Sequence, residues 1–458
     1  MNDGFAGTDL AGRRAVVAGA GVSGAAAAQA LRDRDARVLV VDRDSERAEI
    51  LRARGFEVVD RATAPDGTEL LVTSPGWRPD APLLVDASAR GIEVLGEVEL
   101  AWRLRPTRPA SWLVVTGTNG KTTTVRMLEA VLRAGGHHVL AAGNVGLPLV
   151  EAVLAEPAPD VLAVELSSFQ LHWSDSLRPT AAAVLNVAPD HLDWHGSLAA
   201  YATAKAKAWT GLTALGNADD EIVRTMLGRA PGRRVAFTLR VPRSGELGLV
   251  DDLLVDRAFP DVPGEATELA SVGDLRVTGP HNVANALAAS GLARAYGVPA
   301  QAVRLGLQSF RAEPHRNSVV TERDGIRWVD DSKATNPHAA AASLAAYPHV
   351  VWIAGGLLKG AEVDDLVRRA VPVLRAVVLL GTDRQLLRSA LARHAPDLPV
   401  VEVVRLDTEA MSEAVEHARR MARPGDTVLL APAAASMDCF RNYAERGELF
   451  AQAVRALP

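Results

Sequence analysis

The 458-residue chain has a single cysteine, Cys439, so no internal disulfide can form. An excess of one charge sign is also missing. The formal net charge of −5 offers neither a basic footprint for nucleic acid nor a polybasic patch for a membrane surface. No apolar run is long enough to span a bilayer. Met1-Asn2-Asp3-Gly4-Phe5 lacks a basic segment followed by an apolar core, so no signal peptide is expected. Low-complexity tracts and short-period repeats are absent too. These absences argue against a disulfide scaffold, a membrane-inserted chain and a nucleic-acid partner, and they point to a reducing cytoplasm. What is present suits a globular enzyme: 48% hydrophobic residues, 23% charged, and length for about three domains.

Strand patterns alternate with helical ones almost throughout, which predicts α/β layers with mostly parallel sheets. Residues 15–17 read as a strand running into Gly19-Ala20-Gly21-Val22-Ser23-Gly24, an Ala-rich helix and a second strand over 37–41 that ends at Asp42. A G-x-G-x-x-G turn with an acidic residue after the second strand is a dinucleotide-fold pattern. Taken alone it favours NAD, but a glycine turn at a helix start can hold any diphosphate, and Asp42 can hold any ribose or simply be solvated. A strand over 70–74 ends in Ser74-Pro75-Gly76 on the same edge. Two linkers are expected, at Arg105-Pro106-Thr107-Arg108-Pro109 and at Arg311-Ala312-Glu313-Pro314. They divide the chain into domains 1–105, 106–312 and 313–458. The first and last have dinucleotide-like patterns; the central one has a P-loop pattern, with small hairpins expected over 243–274.

The central pattern begins at Trp112-Leu113-Val114-Val115, a buried strand, and continues Thr116-Gly117-Thr118-Asn119-Gly120-Lys121-Thr122-Thr123 into a helical period. Loop N–H groups and the positive helix end would face one anion. Lys121 would reach the phosphates and the Thr122 hydroxyl a Mg²⁺ ion. A strict Walker A motif has glycine where Val115 stands. The bland alternative is a glycine turn with Lys121 as a solvated surface charge.

Later strands of this region end in polar residues, where an open α/β sheet places its site. One delivers Glu165 with Ser167-Ser168-Phe169-Gln170. Another delivers Asn186 with Asp190-His191-Leu192-Asp193. Glu165 and His191 beside a P-loop suit Mg²⁺, against the ordinary fates of a structural ion pair and a bonded loop histidine. Asn282 and Asn285 share a helix face, able to read an adenine edge or a phosphate, with N-capping as the competitor. Arg316 offers five donors for a developing phosphoryl charge, and Asp331-Ser332-Lys333 reads as a site loop.

Gly-Thr-Asn-Gly-Lys-Thr-Thr, Glu165 to Gln170, Asn186 to Asp193, Gly279 to Asn285, His315-Arg316 and Asp331 to Asn336 occur in the order seen in Mur ligases, the ATP-dependent amide-forming enzymes of peptidoglycan synthesis, which the chain resembles from Gly19 onward. Ala431-Pro432-Ala433-Ala434-Ala435-Ser436-Met437-Asp438 and Arg446-Gly447-Glu448 also fit. Glu-Leu-Ser-Ser-Phe-Gln-Leu and Asp-Ser-Lys-Ala-Thr-Asn are similar to the members that add D-glutamate to UDP-N-acetylmuramoyl-L-alanine. The resemblance implies a first domain that holds UDP rather than NAD, through Gly21, Val22, Ser23, Asp42, Arg43, Ser74 and Gly76. Asn144, Ser167, Gln170 and His191 would lie on the substrate side. ATP would meet Gly117 to Thr123, Asn282, Asn285, Arg316 and Asp331. Two Mg²⁺ ions would be held by Thr122, Glu165, His191 and a carbamylated Lys205, with Lys121, His191, Lys205 and Arg316 as the catalytic set. D-glutamate would meet Lys333, Thr335, Lys359, Ser436 and Tyr443. Tyr443 stands where the family leads one to expect Phe, and Asp44 replaces a more usual residue after Arg43. A monomer acting on small molecules is expected. The rival from another class is a nicotinamide-dependent oxidoreductase using Gly19 to Gly24 and Asp42.

Overall fold

A computed structural model describes residues 10–277, 279–311 and 315–457. Within them the chain forms two compact units, Met1–Asp274 with Ala284–Phe310, and Leu275–Val283 with Arg311–Pro458. Of the second expected linker only Arg311 is described; residues 312–314 lie outside the described residues.

The first unit carries two sheets. One has strands β1 (Arg14–Ala18), β2 (Arg37–Val41), β3 (Glu57–Val59), β4 (Leu70–Thr73) and β5 (Glu93–Gly96), in the order β3-β2-β1-β4-β5 and parallel throughout. Its Val- and Leu-rich strands all run the same way, so the loops that follow them leave from one edge. The other sheet contains β6 (Ser111–Thr116), β7 (Val139–Gly143), β8 (Val161–Glu165), β9 (Ala181–Val184), β10 (Thr213–Asn217), β11 (Arg233–Phe237), β12 (Glu246–Val250), β13 (Leu253–Asp256) and β14 (Thr267–Ser271). The order is β14-β13-β12-β11-β10-β9-β6-β8-β7. The β12/β13 and β13/β14 pairs are antiparallel, the hairpins expected over 243–274, and the rest of the sheet is parallel. Strand β6 lies between β9 and β8, so three loops meet beside its C-terminal end. One apolar core runs from the first sheet into the second, and Trp102 and Trp112 meet edge to face within it, ring centres 5.1 Å apart.

The second unit has β15 (Ser318–Arg323), β16 (Ile326–Asp330), β17 (Val350–Gly355), β18 (Leu374–Leu380), β19 (Val400–Glu402) and β20 (Thr427–Leu430), in the order β15-β16-β20-β17-β18-β19. Only β15/β16 is antiparallel. All six residues of β17 are buried: Val350, Trp352 and Ala354 enter one core, Val351 and Ile353 the other. Both faces are thus covered, which explains the unbroken apolar run Val-Val-Trp-Ile-Ala. Among the described residues no helix is long and apolar enough to cross a membrane.

Candidate active site

The P-loop starts where β6 stops. Val115, in the place of a Walker glycine, is fully buried and registers with Glu165 on one side and Ala183 on the other, so it is a sheet residue. The loop is clamped by Asn186. Its Oδ1 accepts from the Asn119 amide at 2.8 Å, its Nδ2 donates to the Asn119 carbonyl at 3.0 Å, and its carbonyl accepts from the Thr118 amide at 2.9 Å. A side-chain amide here does the work of a neighbouring strand. Gly120 begins the helix Lys121–Ala134 with φ +84°, and a Cβ there would stand 2.4 Å from Asn285 Oδ1. Glycine is required on both counts, and Asn285 is thereby placed on the loop. Asn282 is buried in the first turn of its own helix, Pro280–Tyr296.

Lys121 is not a solvated loop lysine. It is half-buried, and its Nζ donates to the carbonyls of Gly117 and Thr118, both at 2.9 Å. The donors of a loop built for an anion point one way, and its carbonyls, facing the other, take up the ammonium. Lys205 Nζ reaches the same Gly117 carbonyl at 2.8 Å with the residue only 1% exposed. Burial, then Lys121, push the Lys205 pKa well below the ordinary lysine value, against Asp190. Two ammonium groups on one carbonyl oxygen repel, so the site favours Lys205 as a neutral amine. Its helix, Leu198–Ala206, stops earlier than its alanine-rich sequence suggests and passes into the 3₁₀ turn Lys207–Thr210.

Glu165, 1% exposed at the end of β8, accepts from Thr122 Oγ1 at 2.7 Å and from Asn144 Nδ2 at 2.8 Å. A hydroxyl and a carboxylate oxygen in contact at a P-loop helix start are the hard oxygen donors that Mg²⁺ takes, so the residues fit that ion. His191 sits in a left-handed backbone conformation (φ 53°) before the short helix Leu192–His195. Burial lowers its pKa, opposed by Asp190 and reinforced by Lys121 and Lys205. Its ring centre lies 4.7 Å from that of Phe169. Ser167 and Gln170, expected on the substrate side, close a capping box: Ser167 Oγ accepts from the Gln170 amide at 3.2 Å and Gln170 Oε1 from the Ser167 amide at 2.9 Å.

The first sheet holds a cavity of about 390 Å³ at its C-terminal edge, lined by Gly19, Gly21, Val22 and Ser23, by Asp42 and Arg47, and by Ser74, Pro75, Gly76 and Trp77. A Cβ at Gly19 (φ +104°) would stand 2.5 Å from Ser74 Oγ. Asp42 is half-buried and not idle. Its Oδ2 accepts from the Ala20 amide at 2.5 Å and its Oδ1 from the Asp44 amide at 2.9 Å, bracing both turns. Arg43 is exposed, with its Nε 3.5 Å from Asp60, and the lining has Arg47 instead.

In the second unit the loops after β16, β17 and β20 are laced together. The Leu357 and Ala435 amides and carbonyls exchange hydrogen bonds of 2.9 Å, and the Ala433 amide donates to Ala334 at 2.9 Å. This brings Lys333, Thr335, Lys359 and the buried Ser436 to one edge. Lys333 Nζ lies 3.7 Å above the Tyr443 ring. Arg446, fully buried, holds the Lys333 loop from behind, donating to Ser332 Oγ at 2.9 Å, the Ser332 carbonyl at 2.8 Å and the Ala434 carbonyl at 3.1 Å. Desolvation pushes the Asp331 carboxyl up to about 6, with Arg316 among the groups that oppose it.

Comparison with known proteins accords with this geometry. The Mur ligase middle domain matches residues 115–293, and the Mur ligase glutamate ligase domain matches 315–434. Residues 15–67 match the TrkA-N domain. The UDP-N-acetylmuramoylalanine--D-glutamate ligase of Thermobifida fusca is 60% identical over 98% of this chain and 99% of its own length. That of Streptomyces avermitilis is 54% identical over the same shares. The chain belongs to the Mur ligase family. Solved Mur ligases share its fold: MurC from Thermotoga maritima, with a TM-score of 0.59 at 19% identity, covers 97% of this chain and 99% of that one. MurF from Acinetobacter baumannii, with 0.62 at 18%, covers 96% and 93%.

For this Mur ligase, the P-loop residues, Glu165, Asn144, His191 and Lys205 come together in the first unit, and the Lys333, Thr335, Lys359, Ser436 and Tyr443 set in the second. Sequence reasoning singled out Asn186 without a role and passed over Arg47 and Trp77. Arg47 follows the second strand by one helical turn, a position that could have been tested for a cation facing the glycine turn.

Proposed function

We propose that this chain is an ATP-dependent ligase that joins the amine of D-glutamate to the alanyl carboxylate of UDP-N-acetylmuramoyl-L-alanine, by way of an acyl phosphate, in peptidoglycan precursor synthesis. The observation that carries the reading is the convergence of Lys121, Thr122, Glu165 and Lys205 on one glycine loop. A nicotinamide oxidoreductase would use the Gly19 turn and leave that cluster without a task.

A carboxylate does not acylate an amine in water, because its oxygen is a poor leaving group. In the proposed sequence an alanyl carboxylate oxygen attacks the γ-phosphorus and ADP departs. The D-glutamate amine then attacks the acyl carbon, loses a proton, and phosphate leaves. The chain's own task is to position the reactants and neutralise charge. Lys121, released from the Gly117 and Thr118 carbonyls, meets the phosphates together with the loop amides that Asn186 holds in line. Arg316 is assigned to the developing phosphoryl charge, and Asn282, Asn285 and Asp331 to the nucleotide. Mg²⁺, when bound, screens the carboxylate from the phosphate, and Thr122, Glu165, His191 and Lys205 are its holders, two ions being proposed. Lys205 supports that role as a carbamate: its neutral amine adds CO₂, forming an N–C bond and releasing a proton, and an uncharged side chain becomes an anionic oxygen ligand. Lys333, Thr335, Lys359, Ser436 and Tyr443 are assigned to D-glutamate. The UDP-substrate is assigned to the first-sheet cavity, with Asn144, Ser167, Gln170 and His191 toward its peptide end. Domains 1–105, 106–312 and 313–458 would serve the UDP-substrate, ATP and the amino acid in that order, in a cytoplasmic monomer.

Phosphate release with UDP-N-acetylmuramoyl-L-alanine, ATP and a panel of amino acids tests the reading. D-glutamate is expected to support turnover, and L-glutamate, meso-diaminopimelate and L-lysine are not. Equal turnover with diaminopimelate would move the chain to a sister activity. Protection against thermal unfolding by NADH but not ATP would revive the oxidoreductase.

A further inference from the structure

The cavity of the first sheet contains two charged side chains with different duties. Both Asp42 oxygens accept backbone amides, so it braces the turns that frame the cavity. Arg47 is the cation of the lining. Its Nε lies 3.2 Å from Asp44 Oδ2, and among the described residues its side chain makes no other ion pair or hydrogen bond with the protein. The side chain is 59% exposed, and Nη1 lies 3.9 Å from where a Cβ of Gly21 would be. Gly21 caps the eleven-residue helix Val22–Arg32, whose first turn has no acidic residue. Opposite, Ser74 Oγ is buried and without a hydrogen-bond partner in the same lining. A guanidinium with its outer nitrogens unengaged, a helix N-terminus and an orphaned hydroxyl therefore border one space.

We propose that Arg47 is the residue that grips the diphosphate of the nucleotide-sugar substrate, and that Asp44 holds it ready. This rests on the reading of the cavity as the UDP-substrate site. Arg43 has no such position, being exposed and drawn toward Asp60. Asp44 is also the N-cap of helix Ser45–Ala53, its Oδ1 accepting from the Glu46 and Arg47 amides, both at 3.1 Å. The same carboxylate that starts the helix thus fixes the root of the arginine fork and leaves its tips for an anion. A planar fork suits diphosphate oxygens better than a point charge, which makes the position one for arginine specifically.

Calorimetric binding of UDP to the full chain tests this, with ATP binding as the internal control. Arg47→Gln is expected to weaken UDP about tenfold, Arg47→Lys to recover part of the loss, and all variants to bind ATP as wild type does. Asp44→Asn keeps a capping oxygen but loses the charge that holds Arg47 Nε, so it is expected to weaken UDP about two- to threefold, and unchanged or tighter binding would overturn the role of Asp44. In turnover, Arg47→Gln is expected to raise KM for the UDP-substrate about tenfold with kcat within about twofold, the signature of binding shared by ground and transition states. Wild type that binds UDP while Arg47→Gln binds it within about twofold overturns the role of Arg47 and leaves the cavity assignment standing. Wild type that fails to bind UDP overturns both.

Discussion

Glu97 offers a measurable test of how the two sheets of the first unit are joined. It opens the helix Glu97–Arg103 after β5, is 2% exposed, and its Oε1 accepts from the Val150 amide at 2.8 Å. Desolvation pushes its carboxyl up to about 7 from 4.5, although backbone amides of Val150 and Leu149 pull the other way. The native state therefore binds this proton more tightly than the unfolded chain does. Below pH 4.5 both states are protonated and nothing is lost. Through pH 4.5 to 7 the unfolded carboxyl ionises first, and stability falls as pH rises. At 1.36 kcal/mol for each pH unit of separation, the destabilisation is about 1 kcal/mol at pH 5 and about 3 kcal/mol at pH 8. Glu97→Gln keeps an acceptor for Val150 and cannot ionise. It is expected to be more stable than wild type by about 3 kcal/mol at pH 8 and by only about 1 kcal/mol at pH 5. Urea unfolding followed by tryptophan emission reads this directly, because Trp102 lies on the same helix and meets Trp112 in the core. An equal gain at both pH values, or a loss at pH 8, would refute the buried-carboxyl argument.

Other substitutions probe the catalytic cluster and the second unit. Lys121→Ala should lower single-turnover phosphate release by about three orders of magnitude, since a unit charge about 4 Å from phosphate at a dielectric near 20 contributes roughly 4 kcal/mol; wild-type release from folded protein would sink the P-loop assignment. Lys205→Ala should be nearly inactive and partly rescued by a short carboxylic acid. Lys207→Ala should keep most activity, because Lys207 Nζ is spent on the His172 carbonyl at 2.8 Å and Asp175 at 2.7 Å; full activity of Lys205→Ala would refute the carbamate. Gly447→Ala would put a Cβ 2.1 Å from His315 Nδ1 and 2.7 Å from Asp330 Oδ2, groups that hydrogen-bond to each other at 2.6 Å. It should destabilise the second unit by about 1–3 kcal/mol in thermal unfolding, and an unchanged melting curve would show that the helix Tyr443–Arg455 has room to shift.

Local pattern determined a good deal about this protein. The run into Gly117-Thr118-Asn119-Gly120-Lys121-Thr122 made a strand, a glycine loop and a helix start, because period and turn chemistry are properties of neighbouring residues. Alternating patterns likewise foretold α/β layers and the hairpins over 243–274. Tertiary structure decided which distant groups meet. Nothing in the spacing says that Asn186 grips the loop at Asn119, since strand order puts β9 beside β6 across about seventy residues. That Asp42 braces the glycine turn while lining the cavity depends on the amide of Ala20, a turn in another segment. Ser167 and Gln170 cap their own helix before any substrate arrives. Arg47 rather than Arg43 faces the cavity because helix phase, not closeness in sequence to the acidic residue, sets the direction of a side chain. Lys205 is buried, with its Nζ on a loop carbonyl 88 positions away, a placement that the Ala-rich run around it does not announce. A sequence displays the residues available for chemistry; the packing of strands far apart in the chain decides which of them lose water, and loss of water is what sets their charge.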